Sequence, residues 1–308
     1  MLAVLPIAIA SVAGFFGAWS WGLDLAAAFR PQYAVVLALA SLLAGILGRR
    51  GGAFFLALLA LLNAALVAPL WFPAPAPAPQ SSAVKLHYHN VHGGGDERFA
   101  QVADQLATTD ADLVFFSEVS PRWMELFAAS DLPYSVLYPL RLQDHRRIMV
   151  VSRIPVTSVA PVELVQGSRT GGIAVDLVLD GRPLRVIGLH THSPRTAQLS
   201  GIRDAELKAA GEWAALQEVP VVMIGDLNST PWSHPFRDLI RTSGLRNSQR
   251  GFGIQPSWMV GTGPLMVPID HALHAPALTT THRALGPSLG SAHHSLTVEF
   301  AWAEPAGP

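Results

Sequence analysis

The run Val221-Val222-Met223-Ile224 is apolar, stops at Gly225, and is followed by Asp226 and Asn228. Alternate residues of an extended segment point to one side, so this acid and this amide can project together from the end of a buried strand. An ionised carboxylate only accepts hydrogen bonds, whereas an amide also donates. One member of the pair can activate a nucleophile while the other holds a developing negative charge. Gly, Asp and Asn are also ordinary turn residues, and in isolation the segment reads equally well as a strand-end turn. The pattern recurs along the chain. Asn90 follows an apolar-rich run over 84–89, Glu118 follows Leu113-Val114-Phe115-Phe116-Ser117, and His190 and His192 close the run containing Val186-Ile187-Gly188. Asp270 follows Pro268-Ile269, and His293 precedes the last apolar stretch. Strand-end loops on a rigid scaffold are where catalytic groups collect. A Glu118 buried beside two phenylalanines needs a metal or a hydrogen-bond partner, because an unpaired buried charge is costly.

Holding these groups together requires a sheet. Residues 84–90, 113–116, 147–151, 172–179, 184–190, 221–224, 272–274 and 295–302 read as strands. Residues 96–107 place Phe99, Val102, Ala103 and Leu106 on one helical face, and 203–216 reads as a second helix. Strands recurring with two clear helices between them predict an α/β fold with a layered sheet. His87 and His89 alternate along their strand and are read as structural. His190 and His192 share a strand face, so only one is needed for chemistry. His293 and His294 are adjacent and face opposite ways, which argues against a zinc pair with Asp270. Trp232 and Trp258 are read as core or rim aromatics rather than base-stacking platforms.

Half of the 308 residues are apolar and the mean hydropathy is positive, at +0.33. The excess lies at the N-terminal end, where residues 1–72 hold four charges: Asp24, Arg30, Arg49 and Arg50. Three uncharged apolar stretches, 1–23, 33–48 and 51–72, match or approach the roughly 17–25 residues of a membrane span. The first lacks a basic leader and is followed by two more, so a three-helix anchor over 1–72 is favoured over a signal peptide. Arg49 and Arg50 mark their loop as cytoplasmic, which predicts a multi-pass membrane protein with everything after the third span outside. Trp71 and Phe72 fall where an aromatic belt is expected. Residues 73–82 form a Pro-Ala linker, expected as an extended polyproline II spacer. Residues 83–302 suffice for one domain, followed by a short tail over 303–308. With no cysteine, disulfides, thiolate nucleophiles and cysteine-based zinc sites are excluded. The anchor has a formal charge of +2, leaving 18 basic and 21 acidic residues, a formal −3, in the remainder. That balance argues against a non-specific binder of duplex DNA, although Arg141, Arg146, Arg147 and Arg153 lie close in sequence.

Four pieces then occur in a telling order: Phe116-Ser117-Glu118-Val119, Val150-Val151-Ser152-Arg153-Ile154-Pro155, Gly225-Asp226-Leu227-Asn228-Ser229-Thr230-Pro231, and Pro268-Ile269-Asp270-His271 followed by Gly290-Ser291-Ala292-His293. Together they resemble the endonuclease/exonuclease/phosphatase superfamily of metal-dependent phosphoesterases, over residues 84–302. The resemblance implies a four-layered α/β sandwich, two packed mixed sheets flanked by helices, here preceded by three transmembrane helices. The anchor ahead of such a domain looks like a membrane-bound bacterial branch, and only this resemblance implies a bacterial inner membrane with the domain in the periplasm. By that resemblance Glu118 binds a divalent cation, Mg²⁺ or Mn²⁺, with Asn90 ordering the metal side. Asp226 orients or deprotonates the attacking water, Asn228 and His190 stabilise charge on the phosphoryl oxygens, and His293, oriented by Asp270, completes the site. His190 is preferred over His192 because Pro194 then falls at a family-like offset. The implied substrate is a phosphate ester. Nucleic acid, nucleotide, lipid headgroup and sugar phosphate are not distinguished, and the bilayer is a partner through residues 1–72.

One position departs from the family pattern. Its Ser-Asp-His reads Ser291-Ala292-His293 here, and alanine cannot ligate. The candidates to substitute are His92, Asp96 and His294. This departure defines the alternative reading, a catalytically impaired ectodomain that binds a phosphorylated ligand without cleaving it. A third reading, in which the helices matter more than the domain, lacks the polar residues within the spans that it would need.

Overall fold

The computed structural model describes residues 4–72, 83–92, 98–140, 148–165 and 171–303. The helices α1 (Leu5–Ala13), α2 (Trp21–Ala26), α3 (Arg30–Ile46) and α4 (Arg50–Val67) come first. After them follow β1 (Val84–Asn90), α5 (Phe99–Thr109), β2 (Leu113–Ser117), α6 (Pro121–Ala128), β3 (Ser135–Leu140), β4 (Ile148–Ser152), β5 (Ser158–Glu163), β6 (Gly171–Leu179) and β7 (Arg182–His190). The chain continues through α7 (Ala197–Ala215), β8 (Val221–Asp226), α8 (His234–Ser243), β9 (Arg246–Asn247), β10 (Asp270–His274), β11 (Leu278–Leu285) and β12 (Leu296–Trp302).

Period-two alternation builds two sheets. On β1, Val84, Leu86 and Tyr88 face one way, and on β8 Val222 and Ile224 do; these positions meet in a single core together with Phe115, Val150 and Val186. The intervening positions face outward and need covers. Val114, Phe116, Met149 and Val151 pack under α5 and α6. Ile187, Leu189, Met223 and Leu273 pack under α7 and α8. The strand orders are β11-β12-β1-β2-β4-β3 and β5-β6-β7-β8-β10-β9. Each sheet is mixed, with β1–β2 and β7–β8 parallel within otherwise antiparallel neighbours. The expected arrangement of two packed mixed sheets flanked by helices is therefore present. The sheets pack closely at Gly188, where a Cβ would lie 2.2 Å from the Phe115 ring.

The strands read from apolar runs match to within about two residues at most ends, and α7 begins six residues earlier than expected, where Thr196 caps it by accepting from Leu199 N. Two helices, α6 and α8, and the strands β3, β5, β9 and β11 go beyond the sequence reading. The N-terminal region differs more. Residues 1–23 were expected to form one span, but helix breaks after Phe16 and restarts behind Ser20. Gly14 and Gly17 let these segments touch: a Cβ at Gly14 would lie 2.9 Å from the Ala27 backbone, and one at Gly17 3.0 Å from that of Asp24. Two helices, Trp21–Ile46 of 26 residues and Arg50–Leu70 of 21, are long and apolar enough to cross a membrane, and Leu5–Phe16 is a shorter apolar helix. Among the described residues, two candidate spans stand in place of the three expected. Arg30 ties this bundle together: Nη1 donates to Ser11 O (2.6 Å) and Asn63 Oδ1 (3.0 Å), and Asn63 Nδ2 donates to Ser11 Oγ (2.6 Å). The expected linker over 73–82, the glycines at 93–95, Asp96, the arginines 141, 146 and 147 and most of the tail lie outside the described residues.

Candidate active site

The ladder register lines up the polar strand ends. His190 on β7 is opposite Asp226 on β8, and Asp226 is opposite Asp270 on β10. The three form one rung across adjacent strands, on the inner face that Val222 and Ile224 begin. In the other sheet Asn90 ends β1 opposite Ser117, and Glu118 follows in a left-handed turn at φ +58°. A non-glycine residue rarely adopts that conformation; here it brings the carboxylate back toward the gap between the sheets. Gly225 is needed for the same closeness, since at its φ of +151° a Cβ would lie 1.9 Å from Leu189 O.

Asn90 Nδ2 joins the two sheets, donating to Glu118 Oε1 (3.1 Å) and Asp226 Oδ2 (3.2 Å). His190 Nε2 lies 3.6 Å from each of the same two oxygens. Asn228, left-handed at φ +45°, donates its backbone N–H to Asp226 Oδ1 (2.9 Å) and its Nδ2 to Thr191 O (3.0 Å). His293 Nδ1 lies 3.0 Å from Asp270 Oδ2, and its Nε2 lies 3.8 Å from Asp226 Oδ2. Ser291 Oγ fixes the loop, donating to Asn90 O (2.6 Å) and accepting from His293 N (3.0 Å). Every site residue expected from the sequence, Asn90, Glu118, His190, Asp226, Asn228, Asp270 and His293, thus stands in one connected cluster.

The electrostatics separate the acids. Burial, with the negative charge of Asp270 beside it, pushes the Asp226 carboxyl up to about 7. Burial acts on Asp270 in the same sense, but the charge and hydrogen bond of His293 outweigh it and hold that carboxyl below the usual carboxylate range. For His293, burial favours the neutral ring. Asp270, through its charge and hydrogen bond, then Asp226 and Glu118, overcome this and raise the imidazole to about 9. At neutral pH the cluster holds an imidazolium locked to one carboxylate beside a second carboxyl poised to gain or lose a proton. Environments that push two acids apart assign acid and base roles.

Several of the other histidines have partners of their own. His192 Nδ1 lies 2.6 Å from Glu206 Oε1 on α7 and its N–H donates to Glu206 Oε2, so it pins the loop after β7. His87 Nδ1 meets Thr297 Oγ1 and His271 Nε2 meets Ser229 O. His294 Nδ1 lies 2.8 Å from Gly286 O, on the opposite side from His293. His92 stays near the cluster, its Nδ1 3.5 Å from Glu118 Oε2. Trp232 is buried and donates to Leu66 O, while Trp258 is half-buried with its ring centroid 6.4 Å from that of His293.

Sequence reasoning missed two supports. Ser257 Oγ accepts from the backbone N–H of Ile269 and of Asp270, fixing the start of β10. Arg203, only 1% exposed on α7, donates to Asn228 O (2.7 Å) and to Asp24 Oδ2 (3.1 Å). Its one available signal was a charge within an otherwise helical, core-facing pattern, and Asp24 was one of only four charges in the apolar segment.

The donor set fits a hard cation. Among the described residues no Lys or Arg pairs with the carboxylates of Glu118, Asp226 or Asp270, although Arg283 Nη2 donates to the backbone O of Asp270 (3.3 Å). Three carboxyl groups against the imidazolium and this guanidinium still leave negative charge to offset once Asp226 is ionised, and oxygen donors suit Mg²⁺ or Mn²⁺. Asp226, Asp270 and His293 also bring ligand atoms within 4.8 Å of one another, a second place for a cation that would require a neutral His293. Ala292, at the departure from the family pattern, offers no side-chain donor there; its carbonyl accepts from Val260 N.

Residues 88–293 match the Endonuclease/Exonuclease/phosphatase family. No curated protein matches the chain. Among solved structures, humanized D. rerio TDP2 superposes with a TM-score of 0.60 at 16% identity, over 71% of this chain and 99% of that one. The human Nocturnin catalytic domain gives 0.55 at 15% identity, over 73% and 96%. Sphingomyelinase C from Streptomyces griseocarneus gives 0.52 at 15% identity, over 71% and 99%.

Proposed function

The chain belongs to the endonuclease/exonuclease/phosphatase family, and on that premise we propose that it is a membrane-anchored, divalent-metal-dependent phosphoric ester hydrolase that uses water as its nucleophile. The observation that carries this reading is the Asp226–His293–Asp270 arrangement: one carboxyl poised near neutrality, facing an imidazolium that a second carboxylate holds charged.

Asp226 takes the proton from the attacking water, oriented by the N–H of Asn228 and by Asn90. His293, kept protonated by Asp270, faces the same oxygen and gives a proton to the leaving group or holds its charge. Asn228 has a second Nδ2 hydrogen beyond the one given to Thr191, and with His190 it can bind oxygens on phosphorus. Glu118, with Asn90 and Asp226 beside it, would hold the cation, whose chemistry there is Lewis-acid polarisation of a phosphoryl oxygen. Phosphoryl transfer asks mainly for positioning and electrostatics, which a buried rung of three strands supplies. The superposed structures range from TDP2 to a sphingomyelinase C, so the likeness leaves the ester class open, diester or monoester. The two long apolar helices support anchoring in a membrane. The Arg49-Arg50 turn lies at the end of the α3–α4 hairpin away from the contacts with the catalytic sheets, which supports a cytoplasmic turn and a periplasmic site in a bacterial inner membrane. Ala292 favours a second reading, a site that binds a phosphorylated ligand and turns it over poorly or not at all.

The test uses the full-length protein in non-ionic detergent with bis(p-nitrophenyl) phosphate and p-nitrophenyl phosphate, in Mg²⁺, in Mn²⁺ and in chelator. Metal-dependent release of p-nitrophenol is expected, with Asp226→Asn lowering kcat by about 10²–10⁴-fold. Turnover that survives both chelator and Asp226→Asn overturns the proposal. Binding of a phosphate ester without turnover selects the second reading.

A further inference from the structure

The apolar helices are seated against the active-site loops at several fixed points. Trp21 Nε1 donates to Pro194 O (2.8 Å), Asp24 Oδ1 accepts from His234 N (2.8 Å), and Gln32 Nε2 donates to Pro264 O (2.8 Å). Beyond α4, Leu70 O accepts from the N–H groups of Gly251 (2.9 Å) and Gly253 (2.8 Å). These contacts place the catalytic loops at one end of the helices. Exposed aromatic rings, Trp19, Trp71 and Phe72, stand at that same end, where rings of this kind mark the membrane–water boundary.

Two apolar cavities run through this junction. The inner one, about 270 Å³, lies between α2 and the loops of the site and is bounded by Asn228, Trp258, Val267 and Ile269. The outer one, about 290 Å³, lies beside the start of α3 and is bounded by Val35, Val36, Ile254 and Pro268. Ala28 lines both. The outer cavity opens at Val35, which is 60% exposed on a candidate span. The inner cavity ends at Asn228 and at the Trp258 ring beside His293. The two cavities share Ala28 and so mark a candidate passage between the face of a membrane-length helix and the loop that carries Asn228.

Its chemistry is that of an apolar chain with a charged end. Asp24 is the acid on its wall, and Arg203 neutralises it. Arg195 lines the inner cavity, exposed and with no carboxylate partner among the described residues, on the loop that Trp21 clamps through Pro194. An unpaired guanidinium on that wall suits a phosphate oxygen, and the apolar walls suit methylene groups. A polyanionic strand would instead need a basic track.

We propose that the substrate is a phosphoester amphiphile that stays in the bilayer, with its apolar chain in the passage past Ala28 and its phosphorus at Asn228 and His293. The proposal rests on the phosphoesterase reading and names the substrate class for that same site. It is tested with full-length protein in mixed micelles on a series of p-nitrophenyl alkyl phosphates, ethyl to hexadecyl, which differ only in chain length. The expected result is a kcat/KM that rises at least tenfold from ethyl to hexadecyl. Ala28→Phe, which fills the junction of the cavities, should shrink that ratio at least tenfold. The variant Val35→Trp, at the exposed outer mouth, provides a second obstruction should Ala28→Phe fail to fold, and thermal unfolding checks both. Metal-dependent turnover with no chain-length preference overturns this proposal alone, as does a preference that both folded variants keep. Absence of turnover with every member of the series overturns the phosphoesterase reading beneath it.

Discussion

Asp24 and Arg203, 179 positions apart in the chain, form a buried ion pair with Asp24 Oδ2 3.1 Å from Arg203 Nη2. The same guanidinium donates to Asn228 O, and the N–H of Asn228 holds Asp226 Oδ1. A residue of the N-terminal helical segment is therefore three contacts from the proposed general base. Removing one partner of a buried pair leaves the other uncompensated and costs about 3–5 kcal/mol. Asp24→Ala should lower the unfolding temperature and, at temperatures where the protein is folded, cut kcat on a soluble diester several-fold with less change in KM. The double variant with Arg203→Met should be more stable than the single one, because no charge is left buried alone. Unchanged stability and kcat in Asp24→Ala would show that the pair is incidental to the site.

Asp270 acts through His293 rather than on the substrate. Asp270→Asn keeps the shape of the hydrogen bond but removes the charge that outweighs burial and holds the imidazole up near 9. The ring then becomes neutral at lower pH and no longer serves as a charged donor. The expected kcat loss, about 10²–10⁴-fold, is that of removing a general acid. The NMR titration of His293 should move toward lower pH in the same variant. An imidazole that still titrates near 9 in Asp270→Asn would remove Asp270 from its assigned role.

Much of the site was legible because its residues flank apolar runs. The alternation that builds the core reaches a polar residue at Asn90, His190 and Asp226, and ladder register then makes neighbours of His190, Asp226 and Asp270. Edge elements were not legible. On β5 every position is exposed or half-buried, so no apolar pattern marks it. The first span was misread because hydropathy sees composition and not direction. The stretch 1–23 carries no charge, yet Gly14 and Gly17 allow close packing and Ser20 starts a new helix. The Asp24–Arg203 pair was beyond reach for a further reason: neither residue ends a strand, and only the packed fold makes them neighbours.

Ala292 predicts a weak metal site that can be repaired. It stands between Ser291, which is bound to Asn90 O, and His293, which is bound to Asp270. A carboxylate added there would join an oxygen donor set that suits a hard cation. Ala292→Asp should lower the Mg²⁺ concentration for half-maximal turnover at least tenfold, and isothermal titration should show the same shift without substrate. No change by either measurement would place the new carboxylate away from the cation and exclude Ala292 as the cause of any weakness.

Acid should destabilise the fold through its buried histidines. Burial, aided at His87 by His89 and at His271 by Arg283, holds His87 at about 3 and His89, His271 and His274 at about 4. As pH falls below the ordinary value near 6.5, the unfolded chain takes up protons that the folded chain refuses. Stability is therefore full above 6.5 and lost as pH falls toward 4. Asp226 works in the opposite sense, since its carboxyl near 7 gains a proton in the folded state first. His293, near 9, already holds its proton when folded, so its stabilising contribution is fully present below about 6.5 and does not change the balance there. Four rings against the raised carboxyls of Asp226 and Asp112 leave a net loss, at about 1.4 kcal/mol per pH unit for each unmatched proton. Thermal unfolding in a non-ionic detergent should therefore shift downward from pH 7 to pH 5. His87→Gln, far from the cluster and facing Thr297, should make that slope shallower. An unfolding temperature that stays level or rises between pH 6.5 and pH 5 would mean that these rings reach water or a proton acceptor in the folded protein.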